Sequence, residues 1–348
     1  MEMELQMVQQ GYNKPAEERK HELGYDAEKS LHLPPHFLPN NSHQLSPFIE
    51  ANTESVSLFH LRDENIIPVF TKDNEITISH QEFIHFSSAG LKKMFGEDSL
   101  TEPEIRVSHQ IKGRTPDALH IPAKDLQEHQ KTIYYERMAW IVRIPSVTKV
   151  INGNTLSLVA GGVRSYSTEN LYSTKRLEHF QFFIGFQNMV CCNLCVNTDG
   201  MKGDIKAASP LDLESKVVEV IENYNMQQHL EEMESLLNFS LTEEQFAQII
   251  GKCRLYNYLP KKDKYALPEM LLNDSHLSTV AKDYYHDERF CRAENGNLSM
   301  WQFYNLLTGS NKSSYIDSFL QRGVNAFDFA QGISKALSSD SRYSWFLS

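Results

Sequence analysis

Among the 348 residues of this chain, the side chains best suited to chemistry by type and spacing are cationic and aromatic ones in its middle third. Ile105 to Lys124 (IRVSHQIKGRTPDALHIPAK) supplies Arg106, His109, Lys112, Arg114, His120 and Lys124, and its Gly113 and Pro116 predict an exposed loop. Arg137, Arg143, Arg164, Lys175 and Arg176 follow, interleaved with Tyr134, Tyr135, Trp140, Tyr166 and Tyr172. Cations hold phosphate and flat rings stack on unpaired bases, so this set, carried on a sheet, suits a single-stranded nucleic acid. Solvated surface charges and core aromatics are the commoner source of the same composition. The residues on which the sharper reading rests are Arg106, Lys112, Arg114, Arg137, Arg164, Tyr166, Lys175 and Arg176.

Other chemistry is harder to assemble. Cys192-x-x-Cys195 has the spacing of a zinc or redox pair, yet residues three apart on a strand point to opposite faces, and no second pair at finger spacing exists. Buried strand cysteines are the preferred reading. Gly161-Gly162 before Arg164 suggests a phosphate loop, but no helix follows to present its N-terminal amides, which leaves a bulge or a close backbone contact. Lys282 to Glu288 gathers acids around His286 without a nucleophile and reads as a solvated helix end. Asp199, Asp204, Asp117 and Glu136 are carboxylates of the kind a two-metal nuclease uses, but no spacing binds them into one site. No metal and no cofactor are expected, and no catalytic residue can be named.

The elements that must position these groups define an α+β chain. Residues 1–45, with the LHLPPHFLPNN stretch, read as a flexible tail. Residues 46–209 read as a strand-rich, antiparallel domain. It opens with a helical candidate over Ser55 to Arg62 and extended candidates over Ile66 to Phe70 and Ile76 to Ser79. Thr132 to Val142 and Leu156 to Val163 flank Asn152-Gly153, a strong hairpin signal because both residues tolerate positive φ. A second strand pair is expected over Phe180 to Phe186 and Met189 to Val196. Residues 210–348 read as a helical domain, with a helix over Leu211 to Leu237 and a capping box at Thr242 and Gln245 opening the next, through Leu255. Shorter helices are expected at Leu277 to Tyr285, Ser299 to Leu307, Ser314 to Gln321 and, capped by Asn325, Ala326 to Leu337, with Gly309 and Gly323 as punctuation. The aromatic stripe Met300, Trp301, Tyr304, Leu306 and Leu307 reads as core.

Charge is unevenly distributed. The whole chain carries 34 basic and 45 acidic side chains, a net of −11, which argues against a protein that coats nucleic acid with its entire surface. The nets are −10 for residues 1–104, +5 for 105–207 and −6 for 208–348, so the strand-rich middle is the basic segment of an acidic protein. The acidic start MEMELQMVQQ lacks the pattern of a secretory signal, and no apolar run is long enough to span a membrane. A cytoplasmic location with no membrane partner is therefore expected, and five cysteines fit reduced thiols better than a disulfide framework.

Several segments resemble a known family. EIRVSHQIKGRTPDALHIPAK, TIYYERMA, NLCVNTDG, LYNYLP, VAKDYYHD and NKSSYID look like an uncharacterised bacterial family, domain of unknown function 3871, of gut anaerobes and often near mobile elements. The resemblance covers about Phe48 to Leu347 and implies membership, with no established activity attached. A fainter similarity is to the phage/plasmid-like protein family, through Gly162-Val163-Arg164, Val190-Cys191-Cys192-Asn193 and Trp301 to Thr308. Together these readings lead to the expectation of a non-enzymatic accessory factor of a mobile element that binds single-stranded DNA or RNA through the basic, tyrosine-bearing sheet. The alternative is a protein-interaction factor, engaging a host or element protein through the acidic helical domain and its Glu231-Glu232-Met233-Glu234 run. A metal-dependent nuclease ranks third.

Overall fold

Asn152 and Gly153 both adopt positive φ, 47° and 74°, and close a long hairpin between β3 (Lys131–Ile151) and β4 (Asn154–Ser165). The computed structural model describes residues 47–65, 77–118, 120–166 and 177–348. The expected tail, the extended candidate Ile66 to Phe70, and Tyr172, Lys175 and Arg176 lie outside the described residues. Around the hairpin an antiparallel sheet forms in the order β1 (Glu54–Ser55), β2 (Glu104–Arg114), β3, β4, β5 (Glu178–Asn188) and β6 (Leu194–Cys195). A further strand, β7 (Met201–Ala207), also pairs with β5.

Both faces of this sheet are covered. On one side, Trp140, Phe180 and Phe182 pack under α2 (His80–Phe95), whose Phe83 ring lies 5.7 Å from Trp140 and 4.9 Å from Phe180. Gly162 permits this approach: a Cβ there would stand 2.4 Å from Phe83 Cζ and 2.6 Å from the Gln181 carbonyl oxygen. The Gly161-Gly162 pair is thus a close backbone contact within β4. On the other side Ala139, Ile141, Val159, Val163 and Phe183 pack with Phe48 and with Phe319 and Leu320. The last two belong to α9 (Ile316–Ser338).

Ser57 caps the short α1 (Leu58–Asp63), which lies between the first two strands of the sheet. After it the chain is helical: α3 (Pro210–Asn223), α4 (Met226–Ser235), α5 (Glu243–Tyr258), α6 (Lys261–Lys264), α7 (Asp274–His286), α8 (Met300–Asn311) and α9. The Thr242/Gln245 capping box opens α5. The aromatic stripe of α8 is core, as expected, with Met300, Trp301, Tyr304, Leu306 and Leu307 all buried. One apolar cluster runs from Phe83 and Trp140 through Phe186 to Tyr304 and Phe329, so the core is continuous across residue 209. The architecture is α+β, with an antiparallel sheet in the N-terminal and central region and helices after it.

Several local expectations are corrected. Ile105 to Arg114 is strand β2 rather than loop. Ser79 does not end a strand but caps α2, with Glu82 completing the capping box. Met189 to Asn193 turns sharply, with Cys192 at φ 59°, so that only Leu194 and Cys195 extend the sheet. The helix expected over Leu211 to Leu237 breaks at Tyr224-Asn225, where the Asn225 side chain caps α4. The two helices expected after Ser314 are one, α9, with Gly323 in its buried interior. Asn325 accepts a hydrogen bond from the Leu271 amide instead of capping a helix.

Candidate nucleic-acid interface

Residues directly opposite each other in a sheet point to the same face. Ser108 faces Arg137 and Arg106 faces Ala139, while Lys112 faces Ile133 and Arg114 faces Lys131. Lys112, Arg114 and Lys131 therefore share one face of the far part of the β2–β3 pair; nearer the base, before His109 at φ 57° interrupts the strand, Arg106 and Arg137 share a face. Arg164 pairs with Met138 and so belongs to the opposite face. Arg164, with Tyr166 beside it, forms one group of the expected residues, and the β2–β3 cations Arg106, Lys112, Arg114 and Arg137 form another.

The Arg164 group is core. Arg164 is 1% exposed; its guanidinium donates to the Ile78 carbonyl and the Glu178 carboxylate and lies 4.5 Å and 4.4 Å from the Tyr166 and Phe180 ring centroids. Tyr166 is 2% exposed and its ring sits 4.5 Å from that of His80. His80 is fully buried and donates through Nε2 to the Tyr135 carbonyl at 2.9 Å. Burial, reinforced by the Arg164 charge, pulls its pKa down to about 3. Arg164 and Tyr166 are thus a buried cation and its aromatic lining, not a surface for phosphate and bases. Trp140 is likewise fully buried.

The other group divides again along β2. Arg106 donates to Thr53 through Nε (3.0 Å to Oγ1) and Nη2 (2.8 Å to the carbonyl oxygen), tying down the segment before β1. Arg137 pairs with Asp317 of α9 at 2.9 Å. Its guanidinium also lies beside the ring of His109, a residue at φ 57°. These two arginines brace the sheet. Beyond them β2 and β3 continue as an arm closed by the Thr115 amide bonding the Gln130 carbonyl at 2.9 Å. Lys112 and Lys131 are exposed on the arm and Arg114 is half-buried, donating to the Ile121 carbonyl. His109, His120, Lys124 and His129 are also exposed. Lys131, opposite Arg114, belongs with the expected residues but is recognisable only once the β2–β3 register is known. The arm offers cations with little aromatic surface; Tyr134, which is half-buried, packs edge-on to Tyr166 at 6.3 Å.

The remaining candidates are dispersed. Among the described residues, no group of three or more His, Cys, Asp or Glu side chains is placed to hold a metal. Asp199 and Asp204 line a cavity of about 430 Å³ with Lys202, Lys206 and Lys216. Asp204 also pairs with His179 at 2.6 Å, and the His179 hydrogen bond, more than the Lys206 charge, holds its carboxyl below the usual range. Asp117 sits instead on the arm's connection, lowered by a hydrogen bond from Thr115. Cys195 is fully buried, and burial pushes its thiol up to about 12. The acidic run is engaged within the chain: Glu231 with Gln227, Glu232 with Gln228, and Glu234 with Lys149 at 3.0 Å. No helix among the described residues is long and apolar enough to cross a membrane.

Two segments of the fainter resemblance do meet. Asn193 Nδ2 donates to the Asn305 carbonyl of α8 at 3.0 Å, and Asn188 Nδ2 to Asn305 Oδ1 at 3.3 Å. Asn305 in turn donates to the Trp301 carbonyl. This buried amide cluster docks the turn after β5 onto α8. It satisfies polar groups that would otherwise be costly to bury, which makes it structural rather than a site.

No curated protein and no solved structure matches the chain. The family model described as "Domain of unknown function, B. Theta Gene description (DUF3871)" matches residues 39–347, so it takes in the sheet, the arm and the helices alike. The chain belongs to this DUF3871 family.

Proposed function

We propose that the protein binds single-stranded nucleic acid through the β2–β3 arm, without catalysing a reaction on it, and that Lys112, Arg114 and Lys131 are its phosphate contacts. One observation supports this above the rest. Arg114 and Lys131 lie directly opposite each other with Lys112 on the same face, and among the described residues the ion pairs give these three a single carboxylate, Glu128. Like charges directly opposite on paired strands destabilise a sheet, by roughly 0.2 to 1 kcal/mol if the penalty mirrors the gain of opposite pairs. A polyanion crossing the arm would offset that cost. Arg106 and Arg137 brace the base of the arm, and Lys175 and Arg176 stay in the proposal on sequence alone. Arg164 and Tyr166 leave it because they are buried. Service to a mobile element is part of the proposal only through the family resemblance.

Titration of a fluorescein-labelled 20-nucleotide single strand, followed by anisotropy at low salt, tests this reading. Saturable binding, competed better by unlabelled single strand than by duplex, is the expected result. A flat titration at low salt ends the proposal.

A further inference from the structure

The helical region carries a net charge of −6, yet residues 252–265 hold five basic side chains (Lys252, Arg254, Lys261, Lys262 and Lys264) and one acid, Asp263. This stretch is the corner where α5 ends, Pro260 turns the chain and α6 begins. The two most exposed large apolar side chains among the described residues are both here, Tyr265 at 84% and Tyr258 at 77%, with Leu255 at 61% beside them. Three such side chains within eleven residues, set among cations, form a patch rather than scattered surface apolars.

The corner is also ordered by its own contacts. Lys264 Nζ donates to the Asn257 carbonyl at 3.1 Å and lies 5.0 Å from the Tyr256 ring centroid, folding α6 back onto the last turn of α5. Arg342 holds the Tyr265 carbonyl at 3.2 Å. The Tyr258 hydroxyl donates to Asp274 at 2.9 Å, and Asp274 sits 3.7 Å from Arg254. The Tyr258 ring is thus tethered at its hydroxyl while the residue stays 77% exposed. Lys261 and Lys262, both exposed, have no ion pair among the described residues.

We propose that the α5–α6 corner is a second binding surface for single-stranded nucleic acid, on which Tyr258 and Tyr265 stack on bases while Lys261 and Lys262 hold the intervening phosphates. Rings that present faces beside unpaired cations are what a strand with exposed bases requires. An anionic bilayer fits less well: a tyrosine that enters a membrane interface keeps its hydroxyl at the headgroups, and this hydroxyl is occupied by a carboxylate. The corner supplies the stacking surface that the arm lacks, and it stands on observations independent of the arm.

The test uses the full chain and a labelled single-stranded oligothymidine of 20 nucleotides. Three variants are compared with the parent: Y258L/Y265L, which removes rings but keeps apolar bulk; K261A/K262A; and K112A/R114A/K131A on the arm. Loss of the two rings should weaken binding by at least about tenfold. Loss of the two lysines should flatten the slope of log K against log salt by about 1.4. The arm variant should retain weak binding that Y258L/Y265L then abolishes. Corner variants that bind like the parent overturn this inference while leaving the arm intact. So does a parent that binds phosphatidylserine vesicles through these residues and ignores the oligonucleotide. Unchanged far-UV circular dichroism and melting temperature keep a folding defect from imitating the effect.

Discussion

At the scale of single residues, the deciding feature is which charges are already satisfied. Arg164 spends its charge on Glu178 inside the protein. Removing one partner of a buried pair leaves the other uncompensated, so Glu178→Ala should cost about 3 kcal/mol in urea denaturation. The double replacement R164M/E178L should cost much less, and equal losses from both would show that the pair does not act as a unit. Histidines give a second prediction. His229 is buried among Phe186, Phe327 and Tyr224, and burial pulls its pKa down to about 3. Its folded-state pKa thus lies below the unfolded value of 6.5. The unfolded chain therefore takes up the proton first, and stability is lost as pH falls from about 6.5 toward 3. His229→Leu should remove about 2 kcal/mol of the difference in unfolding free energy between pH 8 and pH 5. A difference that is unchanged in the variant would contradict the assignment.

Elements were legible where local chemistry alone dictates them. Asn152-Gly153 announces its hairpin because the turn needs positive φ, and Thr242 with Gln245 announces α5 because a capping box satisfies helix-end amides. What the sequence hides is set by packing. The buried face of α2 includes Ser87 and Gly90 between Phe83, Ile84 and Leu91, so the small residues that let it pack closely also break its apolar stripe. Gly323 looks like punctuation but sits on the buried face of a long helix. By type and by its neighbour Tyr166, Arg164 reads as one of the surface cations, but residue type does not say whether a sheet face is solvated or covered. Here both sides are covered, and β4 is buried from Leu156 to Ser165. The contact that fixes α2 on this strand gives a prediction of its own. Gly162→Ala drives a methyl into the Phe83 ring and the Gln181 carbonyl, an overpacking expected to cost about 3 kcal/mol. Amide exchange in α2 should accelerate, and an unaffected α2 would show that Gly162 is not what admits Phe83.

For the whole molecule, net charge is a poor guide to partners because it averages over surfaces of opposite character. The total of −11 conceals a basic middle third, and the −6 of the helical region conceals a cationic corner at residues 252–265. The candidate site was legible as composition and illegible as placement. Of the eight residues marked by type, the fold presents Lys112 and Arg114 on the arm, uses Arg106 and Arg137 as braces and buries Arg164 and Tyr166, while Lys131 entered only through strand register. The most direct test of the central claim is the salt dependence of oligonucleotide affinity in the parent and in K112A/R114A/K131A. Three phosphate contacts to a single strand predict that the slope of log K against log salt is shallower by about 2 in the variant, with affinity reduced most at low salt. Equal slopes and equal affinities in the two proteins would contradict it.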